Sequence, residues 1–168
     1  MRRGRREKGG PDEPEDHALG RSRGGFTTKI HLVCDSQGVP LAIEVSAGQC
    51  HESKDFLPAF EASRLPRTRH RARYRPDQLA GDKGYNVEWI REWLYLHKIE
   101  PVIPRRTPET APDEPFDREA YRRRNIVERC IGWLKECRRV FGRFDKFAVS
   151  YLAFLRLAMI QRILKFDF

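Results

Sequence analysis

Between Phe26 and Cys34 the chain alternates strictly, with Phe26, Thr28, Ile30, Leu32 and Cys34 on one face. A period of two is the signature of a strand. Asp35-Ser36-Gln37-Gly38 then supplies turn chemistry, and Leu41, Ile43 and Val45 alternate with Ala42, Glu44 and Ser46. Together these runs predict an antiparallel hairpin. Such a hairpin needs something to cover its apolar face, and the later segments have the helical period to do it.

Ser53 to about Ala62 reads as a short helix with Ser53 as its N-cap. A basic, Pro-containing loop follows from Arg64 to Pro76. Gln78–Gly81 is a short strand that ends on Asp82, and Lys83-Gly84 turns the chain. Asn86 is placed to cap a helix whose face holds Val87, Ile90, Leu94 and His97. Glu100–Ile103 returns as a strand, and Pro101 and Pro104 favour an edge position. After a loop marked by Pro108, Pro112 and Pro115, Asp117 caps a long helix running to about Val140, and an apolar helix covers Val149–Leu164. This order predicts an α/β domain over residues 26–168. Residues 1–25 are rich in Arg, Gly, Pro, Asp and Glu, and are expected to be a disordered basic linker, with order beginning at Phe26.

The 168 residues carry a net charge of +9, which points to polyanionic partners, nucleic acid before an anionic membrane surface. Arg156, Arg162 and Lys165 interrupt the apolar stretch Val149–Phe168, so it reads as a buried helix and no membrane partner is expected. The N-terminus is basic without an apolar core behind it, unlike a secretory signal. Cys34, Cys50, Cys130 and Cys137 form no C-x-x-C pair, which fits reduced thiols in a cytosol. Cys50 and His51 lack the paired spacing of a zinc site.

The segment Tyr121–Lys135 is the most informative for function. With Ile126 at zero and about 100° per residue, Cys130, Trp133, Cys137 and Val140 fall within roughly 40° and form the core side. Val127, Leu134 and Phe141 widen that face. Arg124, Lys135, Glu128 and Tyr121 fall at about 160°, 180°, 200° and 220°, a narrow stripe directly opposite. By spacing alone the favoured reading of this stripe is an ordinary exposed ion-pair ladder, with Arg124 and Glu128 at i,i+4.

The pattern Tyr-x-x-Arg-x-x-x-Glu-x-x-x-x-x-x-Lys, complete here as Tyr121, Arg124, Glu128 and Lys135, resembles the signature around the last acidic residue of bacterial insertion-sequence DDE transposases of families four and five. YRRRNIVERCIGWLKECRR, LAGDKGY around Asp82, GRSRGGFTTKIHL and SAGQCHES are similar to the same group. The resemblance spans Arg21 to Leu164 and corresponds to the C-terminal portion of the catalytic domain.

The resemblance implies a ribonuclease-H-like core in which three carboxylates hold two divalent cations, Mg²⁺ or Mn²⁺. These hydrolyse a phosphodiester at transposon ends and join the freed 3′ end to target DNA. Asp82 and Glu128 are then catalytic and metal-binding, and Tyr121, Arg124 and Lys135 are DNA-binding. Arg124 either meets phosphate or orients Glu128, and both roles can coexist. His51 is structural or lies near phosphate. Arg122, Arg123, Arg129, Arg138, Arg139 and Arg143, with a second patch at Arg64–Arg75, would add salt-dependent backbone affinity. By analogy, two transposon ends call for a homodimer in a synaptic complex, at work on the bacterial nucleoid in the cytoplasm.

The family's first catalytic Asp lies on a central strand upstream of the segment matching Phe26–Cys34. Asp12 and Asp16 fall in the expected linker, and Asp35 fits the hairpin turn, at the far end of a strand from the site. The core is therefore expected to be incomplete, its first central strand missing. Activity is expected only after fusion to an upstream segment supplying that Asp, as in a frameshifted gene. The alternative is a catalytically inactive DNA-binding or inhibitory remnant.

Overall fold

A computed structural model describes residues 17–22, 25–64, 75–105 and 116–166. The hairpin forms as its alternation requires. Strand β2 (Gly25–Cys34) pairs antiparallel with β3 (Pro40–Ala47), matching Ile30 with Val45 and Leu32 with Ile43. Asp35 Oδ1 closes the turn by accepting from the N–H groups of Gln37 and Val39, each at 2.9 Å. Order does not begin at Phe26. A strand β1 (Gly20–Ser22) precedes it and pairs antiparallel with β2 from Gly20–Thr27 to Ser22–Gly25. Ala18 is buried, and Arg143 donates to the carbonyls of both His17 and Ala18. These distant backbone partners order a stretch whose composition reads as linker. Residues 1–16 of that stretch lie outside the described residues.

The second unit is a β-α-β crossover. Strand β4 (Gln78–Ala80), helix α2 (Glu88–Leu96) and strand β5 (Glu100–Val102) give a parallel pair, with Leu79 opposite Pro101. The Gly81 N–H extends the ladder to the Val102 carbonyl at 3.3 Å, so regular pairing ends one residue before Asp82. Among the described residues β1-β2-β3 and β4-β5 remain two separate sheets.

Two cores follow from the two faces of the hairpin. Ile30, Leu32, Ile43 and Val45 meet Leu134 of α4 (Asn125–Glu136), Val140 of α5 (Arg138–Gly142), and Tyr151, Leu155 and Met159 of α6 (Ala148–Phe166). On the other side α1 (Phe56–Ala62) and α2 pack Phe56 and Phe60 against Ile90, Leu94, Ile99 and Ile103. Arg91, though charged, is buried here, donating to Asn86 Oδ1 and to the Ile103 carbonyl.

Several local expectations change. His51, not Ser53, caps the first helical segment: its ring Nδ1 accepts from the Ser53 N–H at the start of the 3-10 turn Glu52–Asp55 that leads into α1. Asn86 does not cap α2, because its carboxamide oxygen is taken by Arg91 and Val87 holds the cap position. The long helix from Asp117 to Val140 is three pieces. Asp117 caps α3 (Arg118–Arg123) as expected, accepting from the Ala120 N–H at 2.8 Å. At Arg124 the helix tightens to three-residue hydrogen bonds, Arg124 N–H to Tyr121 and Val127 N–H to Arg124. At Cys137 the backbone is extended, which turns Val140 into the core, where Tyr151 donates to its carbonyl.

Candidate active site

Asp82 stands exposed just beyond the carboxyl end of β4, where open α/β sheets place their sites. Its Oδ1 accepts from the Gly84 N–H at 2.8 Å, and the Tyr85 N–H closes the same turn onto the Asp82 carbonyl at 3.1 Å. One carboxylate is thus held by its own turn. A second approaches it. A Cβ built on Gly84 would lie 2.9 Å from Asp82 Oδ1 and 3.1 Å from Glu52 Oε2, so both carboxylates flank this glycine.

Glu52 is held by β2. Lys29 Nζ donates to Glu52 Oε1 at 2.6 Å and to the Cys50 carbonyl at 2.5 Å. Burial raises the Glu52 pKa. The Lys29 hydrogen bond, a backbone hydrogen bond and the charges of Lys29 and His51 outweigh that effect and hold the carboxyl below its ordinary value.

Two residues along the same strand face lies His31, only 3% exposed. Its Nδ1 is 2.9 Å from the Tyr85 hydroxyl, and its Nε2 is 2.8 Å from Ser46 Oγ and 3.2 Å from Asp55 Oδ2. A ring proton on Nε2, towards Asp55, leaves Nδ1 to accept from Tyr85. Desolvation lowers the imidazole pKa against the opposing pull of Asp55 and Glu52. Burial, with Asp82, Glu52 and Asp55 around it, likewise raises the Tyr85 phenol. None of Lys29, His31, Asp55 and Tyr85 stood out in the sequence. The available signals were that polar Lys29 and His31 alternate with the apolar face of β2, and that they and Tyr85 fall within the family-like segments GRSRGGFTTKIHL and LAGDKGY.

The residues of the helical stripe straddle the joint at Arg124 between α3 and α4. Arg124 Nη2 is 2.7 Å from Glu128 Oε1, and the Arg124 guanidinium sits 5.5 Å from the Tyr121 ring centroid. Tyr121 also packs on Phe116 at 5.4 Å, so its ring is already flanked. Lys135 is exposed in the last turn of α4. Trp133 belongs to the core side, with Arg162 over its ring. The surrounding basic set is smaller than counted from sequence. Arg143 is turned inward to His17 and Ala18, and Arg139 pairs with Asp145 at 3.6 Å and stacks on Phe154. Arg122, Arg123, Arg129 and Arg138 are exposed; residues 65–74 of the second patch lie outside the described residues.

Asp82 and Glu128 are carried by elements that pack on different faces of the hairpin. Tyr85, three residues after Asp82, meets His31 on one face of the hairpin, whereas α4 packs against Ile30, Leu32 and Ile43 on the other. The first turns of α4 lie over the β2–β3 turn, with Cys130 Sγ 3.3 Å from the Gly38 carbonyl. Among the described residues no three His, Cys, Asp or Glu side chains converge to hold a metal ion.

The sequence model of the transposase DDE domain matches residues 4–161. The chain belongs to the DDE transposase family. Its match begins within the stretch read as linker. This DDE domain is 34% identical over 157 residues to a transposase named for insertion sequence element IS402 of Burkholderia cepacia, covering 93% of this chain and 68% of that one. It is 22% identical over 136 residues to a transposase named for element IS6501 of Brucella ovis, covering 79% of this chain and 95% of the other. No solved structure matches it. The mixed α/β architecture fits the ribonuclease-H-like fold of DDE domains. Among the described residues of this DDE domain no helix is long and apolar enough to cross a membrane.

Proposed function

We propose that this chain is the C-terminal catalytic portion of an insertion-sequence DNA transposase, contributing Asp82 and Glu128 to a three-carboxylate site at transposon ends. The observation that carries this reading is the complete set Tyr121, Arg124, Glu128 and Lys135 across the α3–α4 joint, with Arg124 paired to Glu128, in a chain of the DDE family. As donors, both carboxylates suit a hard divalent cation such as Mg²⁺ or Mn²⁺: they are exposed oxygen ligands, one fixed by a turn and the other by a guanidinium. They do not form a cage by themselves. When bound, such ions stabilise the attacking and leaving oxygens of a phosphoryl displacement.

The chain's own residues would act around that chemistry. Arg124 orients Glu128 and presents positive charge to a phosphate, and exposed Lys135 adds a second cation on the same stripe. Arg122, Arg123 and Arg129 supply non-specific backbone attraction. A central strand bearing the missing Asp would sit between β2 and β4. Two things support this. β2 beyond Thr27 and β4 opposite β5 keep open edges among the described residues, and a strand there would join the two sheets. In this reading the enzyme acts on transposon ends and target DNA, as a homodimer because two ends are joined.

That no three metal-ligating side chains converge among the described residues favours one second reading, a product that occupies transposon ends without cutting them. Mn²⁺-dependent nicking of end-containing DNA distinguishes the two. It is measured for the chain alone and for the chain joined to an upstream Asp-bearing segment. We expect nicking only in the joined protein, lost by at least about a hundredfold in Asp82→Ala and Glu128→Ala, since each removes several kcal/mol of charge stabilisation. End binding with no nicking in either protein would leave the non-cutting reading standing.

A further inference from the structure

We propose that Tyr85 and His31 are positioning residues for Asp82: the His31–Tyr85 hydrogen bond pins the turn that carries this carboxylate to the face of β2. The inference rests on the reading of Asp82 as a metal-binding carboxylate and adds the device that holds it.

The Asp82 turn is short and exposed, and its internal bonds alone are too few to fix its place. Within it, Gly84 N–H holds the carboxylate and Tyr85 N–H holds the carbonyl. These bonds set the shape of the turn but not its position relative to the hairpin. That position comes from the Tyr85 side chain. Its ring packs by Phe56 at 6.3 Å between centroids, and its hydroxyl meets His31 Nδ1 at 2.9 Å. His31 is in turn locked, because its other nitrogen faces Ser46 of β3 and Asp55 of the 3-10 turn. A nearly fully buried imidazole on a strand, with both nitrogens engaged, is a stiff anchor, and hydrogen bonds behind a ligand fix its orientation. Lys29, two residues earlier on the same face, repeats the arrangement for Glu52, whose carboxylate reaches the other side of Gly84. Strand β2 therefore offers two polar anchors at period two, one for each element that flanks Gly84. The requirement for this pairing explains a buried histidine on a strand face that the apolar pattern leaves to solvent.

Tyr85→Phe tests the proposal, since it deletes one hydroxyl and keeps the ring in its apolar contacts. Amide hydrogen exchange, residue by residue, and the thermal midpoint are measured in the 168-residue chain, and Mn²⁺ affinity by calorimetry in the chain joined to the upstream Asp-bearing segment. The expected result is exchange at Gly84 and Tyr85 faster by about tenfold, Mn²⁺ binding weaker by about tenfold, and a midpoint and exchange elsewhere close to the parent. His31→Gln should reproduce the exchange pattern at Gly84 and Tyr85. Unchanged exchange at these amides in Tyr85→Phe overturns the proposal, as does acceleration spread evenly over the domain. If Asp82→Ala binds Mn²⁺ as the parent does, the metal reading of Asp82 is what fails. The positioning claim is then decided by the amide exchange alone.

Discussion

Arg124 bridges two members of its own stripe: its guanidinium lies 5.5 Å from the Tyr121 ring centroid and its Nη2 is 2.7 Å from Glu128 Oε1. One planar cation thus stacks on a ring and donates to a carboxylate at once, which a lysine ammonium cannot reproduce.

Replacing Arg124 should therefore separate activity from stability. The pair is on the surface, with Glu128 58% exposed, so Arg124→Lys is expected to change unfolding free energy by less than about 0.5 kcal/mol. Nicking by the joined protein should nevertheless fall by about tenfold or more. Urea denaturation and end-cleavage rates on the same preparations check this. A parallel loss of both would assign Arg124 to the fold.

Gly84→Ala probes the gap between two carboxylates. The new Cβ would stand 2.9 Å from Asp82 Oδ1 and 3.1 Å from both Cγ and Oε2 of Glu52, so both side chains must shift against the bonds that hold them. We expect a stability change below about 1 kcal/mol and a marked loss of Mn²⁺-dependent nicking, by about tenfold. Unimpaired nicking would show that the spacing of these two groups is immaterial.

Acidification should weaken the fold through His31 before it reaches the carboxylates. The unfolded imidazole takes up a proton near 6.5, while the buried one, its pKa lowered, stays neutral to lower pH. Unfolded chains then bind more protons, so stability is full above that value and falls as pH drops below it, with a slope of at most about 1.4 kcal/mol per pH unit for one proton. Glu52, also lowered, adds its loss only below its ordinary value of 4.5. Urea midpoints taken from about pH 7.5 to about pH 5 should decline in the parent and flatten in His31→Gln. A parent curve that is level across this range contradicts a neutral buried His31.

Leu134→Ala should cost about 2–5 kcal/mol, because the side chain is only 1% exposed and is enclosed by Ile43, Val140, Tyr151 and Leu155. Denaturant midpoints report it directly. A cost under about 1 kcal/mol would mean that α4 does not seat on the hairpin as described.

The sequence carried the hairpin, the crossover around Asp82 and the amphipathic faces of α2 and α4, because each announces itself by a local period. What it concealed depends on partners far along the chain. His31 looks like a solvent-facing strand residue until Tyr85 and Asp55 close over it. Ala18 looks like linker until Arg143 reaches it. His51 displaced Ser53 as a cap because a neutral ring nitrogen accepts a backbone N–H as a hydroxyl does, a role that propensity alone assigns elsewhere. The break at Cys137 was invisible since its apolar residue fits either a continued helix or a turn. Of the candidate site, the stripe on α3 and α4 and the strand end at Asp82 were legible. Which hairpin face each element packs on was not, being set by contacts distant in sequence.

Arg143 adopts a left-handed backbone, at φ 38°, just after α5, and from there holds the carbonyls of His17 and Ala18. The strap ahead of β1 and the corner before α6 therefore behave as one mechanical piece. The backbone at His17 and Ala18 is thereby moored to a residue 125 positions on from Ala18, at the turn that launches the last helix.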